Sequence, residues 1–195
     1  MVKVLELFSG TGSVGKCCTA LGWDVVSVDM ILPADHQVDI MDFDYKQYDK
    51  DEFDIVWASP PCTEYSAMNY CRPEKTPDIE GANKLVLKTL EIINYFDCEY
   101  WFIENPQTGT LKKQSFMTSL NYYDVDYCMY NHPIRKRTRI WTNKKDFDNK
   151  LCDKTCGLII DNKHPQFRYL NIKGVKRQHL RYRIPEDLIY SLFLD

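Results

Sequence analysis

Short apolar runs alternate along this chain with amphipathic stretches of helical period. Val2–Phe8, Trp23–Val28, Phe53–Ala58 and Glu99–Ile103 are too short and too continuously apolar for surface helices, so they predict buried strands. Gln37–Ile40 predicts a further short strand. Ser13–Leu21 predicts a helix stopped by Gly22. Ala82–Phe96 predicts a second, with Leu85, Val86, Leu90, Ile93 and Phe96 near helical spacing. Residues 63–80, which contain Pro73 and Pro77, predict a long loop, and 112–120 a short helix. Tyr122–Met129 and Thr138–Thr142 predict a hairpin pair of strands. Ile184, Leu188, Ile189, Leu192 and Phe193, with Pro185 near the start, predict a last helix over Ile184–Leu194 that packs back on the body.

This alternation predicts an α/β three-layer sandwich with a mostly parallel, Rossmann-like sheet. A length of 195 residues fits one domain. Residues 1–142 read as its core, 143–183 as a short, polar and basic segment, and 184–195 as the closing helix. No apolar run approaches the roughly 18 residues of a membrane span. Met1-Val2-Lys3 leads straight into the first strand, which leaves no secretory leader. The eight cysteines therefore read as reduced thiols of an intracellular compartment rather than as disulfides.

Open α/β sheets bind ligands at the carboxyl ends of their strands. Three such ends carry uncommon chemistry here. The first is Phe8-Ser9-Gly10-Thr11-Gly12, a glycine turn between strand and helix, with Asp29 closing the next strand. Glycines let backbone turn tightly against a ligand, and a carboxylate at Asp29 can accept ribose hydroxyls. NAD and S-adenosylmethionine both suit this pattern. Its ordinary reading is a tight turn and a solvated aspartate. The second end is Ser59-Pro60-Pro61-Cys62, where two prolines stop the strand and a rigid turn presents a thiol, the natural nucleophile for reversible attack on carbon. The third is Glu104-Asn105-Pro106, following apolar Trp101-Phe102-Ile103. An acid against apolar walls can stay protonated and donate to a substrate. Alone, Cys62 is an ordinary buried cysteine and Glu104 an acid before a loop. On neighbouring strands of a cofactor-binding sheet they read as a catalytic pair.

Four ordered motifs resemble the C5-cytosine methyltransferase family. Phe8-Ser9-Gly10-Thr11-Gly12 looks like the family's cofactor motif and Pro60-Pro61-Cys62 like its nucleophile motif. Glu104-Asn105-Pro106 is similar to its Glu-Asn-Val motif, and Arg135-Lys136-Arg137-Thr138-Arg139 to its Gln-x-Arg-x-Arg motif. The resemblance covers residues 1–142 well and the Arg181–Leu194 tail loosely. It implies S-adenosylmethionine as cofactor, with Asp29 on its ribose and Asp39-Ile40 at its adenine edge. It implies DNA as substrate, Cys62 attacking cytosine C6, Glu104 at N3, and Arg137 and Arg139 steadying a base that has left the helix. Two departures stand out: Pro106 in place of valine and Arg135 in place of glutamine. The sizeable target-recognition domain of the family has only residues 143–180 in its place, so little is available to read a sequence.

Charge changes the picture of the partner. The net charge is −3, but residues 131–183 hold 15 Lys/Arg against four Asp/Glu, and the rest of the chain holds 10 against 24. Cations interleaved with aromatics, as in Phe167-Arg168-Tyr169, Lys176-Arg177-Gln178-His179 and Arg181-Tyr182-Arg183, suit phosphates and exposed bases. DNA is the expected partner through 131–183, for a chain acting as a monomer or beside a partner subunit. RNA methylation, an idle module that only binds cofactor or nucleic acid, and an NAD oxidoreductase are the alternatives. The last leaves Cys62 and Glu104 unexplained. Cys152, Cys156, His164 and His179 are tolerably spaced for zinc, but read as free thiols and surface histidines; no metal ligand is assigned.

Overall fold

The computed structural model describes residues 1–67, 69, 74, 76–165 and 177–194. The apolar runs form a six-stranded sheet of β1 (Lys3–Leu7), β2 (Asp24–Val28), β3 (Ile55–Ala58), β4 (Tyr100–Pro106), β5 (Tyr122–Asp126) and β6 (Arg137–Thr142), in the order β2-β1-β3-β4-β6-β5. β1 pairs in parallel with β2 and β3, and β3 with β4. β6 runs antiparallel to both β4 and β5, so it alone opposes the common direction. The expected mostly parallel α/β sheet is what forms.

Among the described residues there are four α-helices, α1 (Ser13–Ala20), α2 (Ile79–Tyr95), α3 (Arg177–Tyr182) and α4 (Glu186–Leu194), of which α1, α2 and α4 pack on the sheet. Alternation along β3 shows why both faces must be covered. Ile55 and Trp57 enter one apolar cluster with Val14 and Cys18 of α1 and Leu188, Ile189 and Leu192 of α4. Val56 and Ala58 enter another, with Val86, Ile92 and Ile93 of α2. Phe193 packs its ring against Trp23, Trp57 and Phe102, seating the last helix on the body. Among the described residues no helix is long and apolar enough to cross a membrane.

Four elements differ from expectation. Residues 37–40 form no strand; only an isolated bridge joins Val28 to His36. α2 starts at Ile79, earlier than Ala82, because Asp78 caps it by accepting the Gly81 N–H at 2.8 Å. Residues 112–120 form two 3₁₀ turns, Leu111–Lys113 and Ser115–Met117. Their amides bond three residues back, as Lys113 N–H does to Thr110 O, too locally to propagate an α-helix. The strand expected over Tyr122–Met129 ends at Asp126 and gives way to a 3₁₀ turn over Tyr127–Tyr130. Asp126 is buried there and spends its carboxylate on Arg135 and the Cys152 N–H.

Candidate active site and cofactor turn

The turn after β1 is made of left-handed backbone: φ is 55° at Phe8, 54° at Gly10 and 66° at Gly12. Glycine takes such angles freely and phenylalanine does not, so strain is held at Phe8, the kind of strain that gathers at ligand-binding turns. A Cβ at Gly10 would find only Phe8 O at 3.8 Å, so conformation rather than crowding calls for glycine there.

Gly12 caps α1 without a side chain. Glu6 of β1 does that work, accepting the Val14 N–H at 3.2 Å and the Gly15 N–H at 2.9 Å. A Cβ on Gly15 would stand 2.8 Å from Glu6 Oε2, so glycine is what lets the acid close on the helix end. Burial pushes the Glu6 carboxyl up to about 7, against the pull of those two N–H groups and Lys16.

Asp29 closes β2 beside this turn. Its Oδ2 accepts the Gly10 N–H at 2.9 Å, and its Oδ1 accepts Ile31 N–H at 2.8 Å and Leu32 N–H at 2.7 Å. A carboxylate has about four acceptor positions, so one remains, on Oδ2. Asp29 thus retains an acceptor position for a hydroxyl. Backbone bonds from Asp29 N–H to His36 O and from Val38 N–H to Asp29 O bring residues 36–38 alongside. Asp39 accepts the Met41 N–H, while Ile40 is buried in the core, so an adenine edge could meet only its backbone.

The ends of β1, β3 and β4 are pinned together. Ser59 N–H donates to Leu7 O, Trp57 Nε1–H to Ser59 Oγ, and the buried Asn105 Nδ2–H to Pro60 O at 3.0 Å. Asn105 therefore fixes the turn that presents Cys62. Cys62 lines a cleft of about 170 Å³ together with Ser66, Ala67, Asn105, Pro106 and Thr108. Burial pushes its thiol above the ordinary value and Glu104 adds to that, while Lys136 and Arg181 oppose it.

Glu104 is only 6% exposed, but its surroundings correct the expectation of apolar walls. Its Oε1 accepts from Tyr127 Oη at 2.9 Å and from Lys136 Nζ at 2.9 Å, and Lys136 also lies over the Tyr127 ring. The cation on the buried acid is thus Lys136, not either arginine singled out from the sequence. Arg139 is clamped by Asp124, Nε to Oδ1 at 2.7 Å, and stacks 3.5 Å over the Tyr122 ring. Arg137 is exposed at the start of β6. Lys136, Tyr127 and Glu6 are the contributors that sequence reasoning missed, and Asn105, named within its motif, was given no role of its own. Lys136 stood inside a motif read for its arginines; nothing in the sequence marked Tyr127. Phe167, Arg168, Tyr169 and Lys176, and the side chains of Arg177, Gln178 and His179, lie outside what the structure describes.

A glycine turn at one strand end, and a thiol and a buried acid at two others, suit an α/β enzyme of the cofactor-dependent transferase class. The model of the C-5 cytosine-specific DNA methylases matches residues 2–180, and the chain belongs to that family. A "Probable DNA (cytosine-5)-methyltransferase" of Frog virus 3 (isolate Goorha) is 36% identical to it, with 98% of each chain covered. Among solved structures, the Entamoeba histolytica methyltransferase EhMeth has a TM-score of 0.55 at 18% identity, over 88% of this chain and 60% of that one. The Schizosaccharomyces pombe Dnmt2 methyltransferase has 0.52 at 16%, over 77% and 51%. This chain spans only about half to three-fifths of those two, and they bear on fold alone. The enzyme transfers methyl groups to C5 of cytosine in DNA, with S-adenosylmethionine as donor. The residues present fit that donor: the left-handed turn at Phe8–Gly12 leaves backbone open to it, and Asp29 keeps an acceptor for its ribose.

Proposed function

We propose that Cys62 is the nucleophile and Glu104 the acid of this reaction, with Lys136, Tyr127 and Asn105 as their positioning residues. The observation that carries the reading is that β3 and β4 lie side by side, with Glu104 on one and the turn to Cys62 after the other, joined by the Asn105 Nδ2–H on Pro60 O. Phe8, Ser9, Gly10, Thr11, Gly12, Asp29, Asp39, Ile40 and Pro60 belong to the walls of the cofactor and substrate space.

The cytosine enters the cleft beside Cys62. Glu104 binds its N3 edge and shares a proton with N3, which draws electrons from the ring and makes C6 electrophilic. The Cys62 thiol gives up its proton to solvent as its sulfur bonds to C6, the C5–C6 double bond opens, and electron density gathers at C5. S-adenosylmethionine supplies the electrophilic methyl group that C5 then accepts. Loss of the C5 proton to solvent restores the double bond and breaks the C6–S bond, whose electrons return to the sulfur and free Cys62. Lys136 and Tyr127 hold the Glu104 carboxyl toward the base throughout.

Residues 131–183 carry the polymer through phosphate contacts, with little sequence choice, in a reducing intracellular compartment and with the chain acting alone. Arg137, exposed at the start of β6, contacts a phosphate in this reading, and Arg139, held by Asp124, braces β6 on β5. The test is transfer of labelled methyl from S-adenosylmethionine to DNA and to RNA by wild type and Cys62→Ala. Transfer to DNA that Cys62→Ala abolishes supports the assignment. Transfer that survives the substitution refutes the nucleophile, and transfer to RNA alone refutes the substrate.

A further inference from the structure

Four side chains converge apart from the Cys62–Glu104 pair. The sulfurs of Cys128, Cys152 and Cys156 and Nε2 of His164 all lie within 4.8 Å of one another. Nε2 stands 3.6, 3.3 and 3.4 Å from the three sulfurs in that order. A tetrahedral zinc ion with ordinary Zn–S and Zn–N bonds would separate nitrogen from sulfur by about 3.6 Å. The four atoms are thus at the spacing of the corners of one coordination shell, and all three cysteines are free thiols.

We propose that Cys128, Cys152, Cys156 and His164 bind one zinc ion in a closed, structural site. Thiolates with an imidazole select zinc over hard cations, and four protein ligands leave no open position for catalysis. The surroundings suit such a charge. Lys154 takes a φ of 81°, and this turn aims its N–H at Cys152 Sγ, 3.3 Å away. Asp126 accepts both the Cys152 N–H and an Arg135 N–H at 2.8 Å, which fixes the backbone of one ligand and brings a cation near the cluster. Such outer partners orient ligands and temper the surplus negative charge of three thiolates.

The fold also needs a clamp here. Between residues 151 and 165 there is no helix, only a bridge from Ile160 to Lys163, and Leu151 and Ile160 are 59% and 68% exposed. A stretch that buries so little apolar surface gains from a metal what it lacks in core. The ion ties this stretch to the 3₁₀ turn holding Cys128. That residue follows Tyr127, whose hydroxyl sits on Glu104. The sequence concealed the set because Cys128 lies in a run that reads as strand, far from the other three. The reading of Cys152, Cys156 and His164 as free thiols and a surface histidine is replaced by this one.

The test is metal analysis of the purified full chain. About one zinc per chain is expected. Cys128→Ser, Cys152→Ser and Cys156→Ser should each lose it, whereas Cys98→Ser keeps it and His164→Cys, which substitutes a thiolate for the imidazole, keeps it too. Should a serine variant fail to fold, wild type stripped of metal under reducing conditions and given cobalt(II) decides: it should show the absorption of tetrahedral thiolate-bound cobalt, abolished by added zinc. Wild type without stoichiometric zinc and without that spectrum overturns the proposal, as does a folded Cys128→Ser variant with full zinc content.

Discussion

At the scale of single residues, the site depends on how four groups share charge. Burial and the neighbouring Glu104 both hold the Cys62 thiol above its usual value, and Lys136 and Arg181 work the other way. The thiol of the free enzyme is therefore protonated at neutral pH, and its reactivity should rise with pH. Alkylation of Cys62 followed against pH should have a midpoint above that of an ordinary thiol. Glu104→Gln removes a charge that raises the midpoint and should lower it; Lys136→Met removes one that lowers it and should raise it. Shifts in the opposite directions would show that these groups do not face one another. Asn105 acts by position. Asn105→Leu leaves Pro60 O buried without its donor, which should cost about 1–3 kcal/mol of stability, read by urea unfolding, and should lower kcat as the Cys62 turn loosens.

At the scale of elements, α1 is held by an acid from the strand before it. The Glu6 carboxyl stands at about 7 in the folded chain against 4.5 for the ordinary group. An acid raised on folding keeps its proton more tightly in the folded state. Its contribution to stability is then complete below 4.5 and is lost as pH rises through about 7. Urea unfolding should show wild type losing stability between pH 5 and pH 8 through this group, and Glu6→Gln should lack that loss. Gly15→Ala drives a methyl group against Glu6 and should cost about 1–3 kcal/mol, measured the same way. Of the four parallel strands, β1, β3 and β4 were legible because they are largely buried on both faces and so read as near-continuous apolar runs, and the half-buried edge strand β2 because of its valines. Residues 37–40 and 112–120 were misread since a few apolar residues in a tight turn bury as well as a strand or a helix does, as Ile40, Leu111 and Met117 do. Cys62 and Glu104 were legible because strand ends position them locally. Lys136 and Tyr127 were not, since antiparallel pairing across β4, β6 and β5 brings them to Glu104.

At the scale of the whole molecule, the acidic body carries the cofactor turn and the thiol–acid pair, and the basic residues 131–183 begin where β6 and its arginines begin. Binding to DNA should fall steeply with salt, the logarithm of affinity dropping by about 0.9 per phosphate neutralised for each logarithmic unit of salt. Replacing Arg168, Lys176 and Arg177 with glutamine should flatten that slope and weaken all sequences alike. A slope unchanged by those substitutions would move polymer contact elsewhere. The central claim is that methyl transfer passes through a bond between Cys62 and the cytosine ring. DNA carrying 5-fluorocytosine tests it most directly, because fluorine at C5 cannot leave as a proton does. With S-adenosylmethionine present, the enzyme should form a covalent adduct that survives denaturation, with the added mass located by peptide mapping at Cys62 and absent in Cys62→Ala. An adduct on another residue, or methylated product from natural cytosine with no adduct from the fluorinated base, would contradict the account.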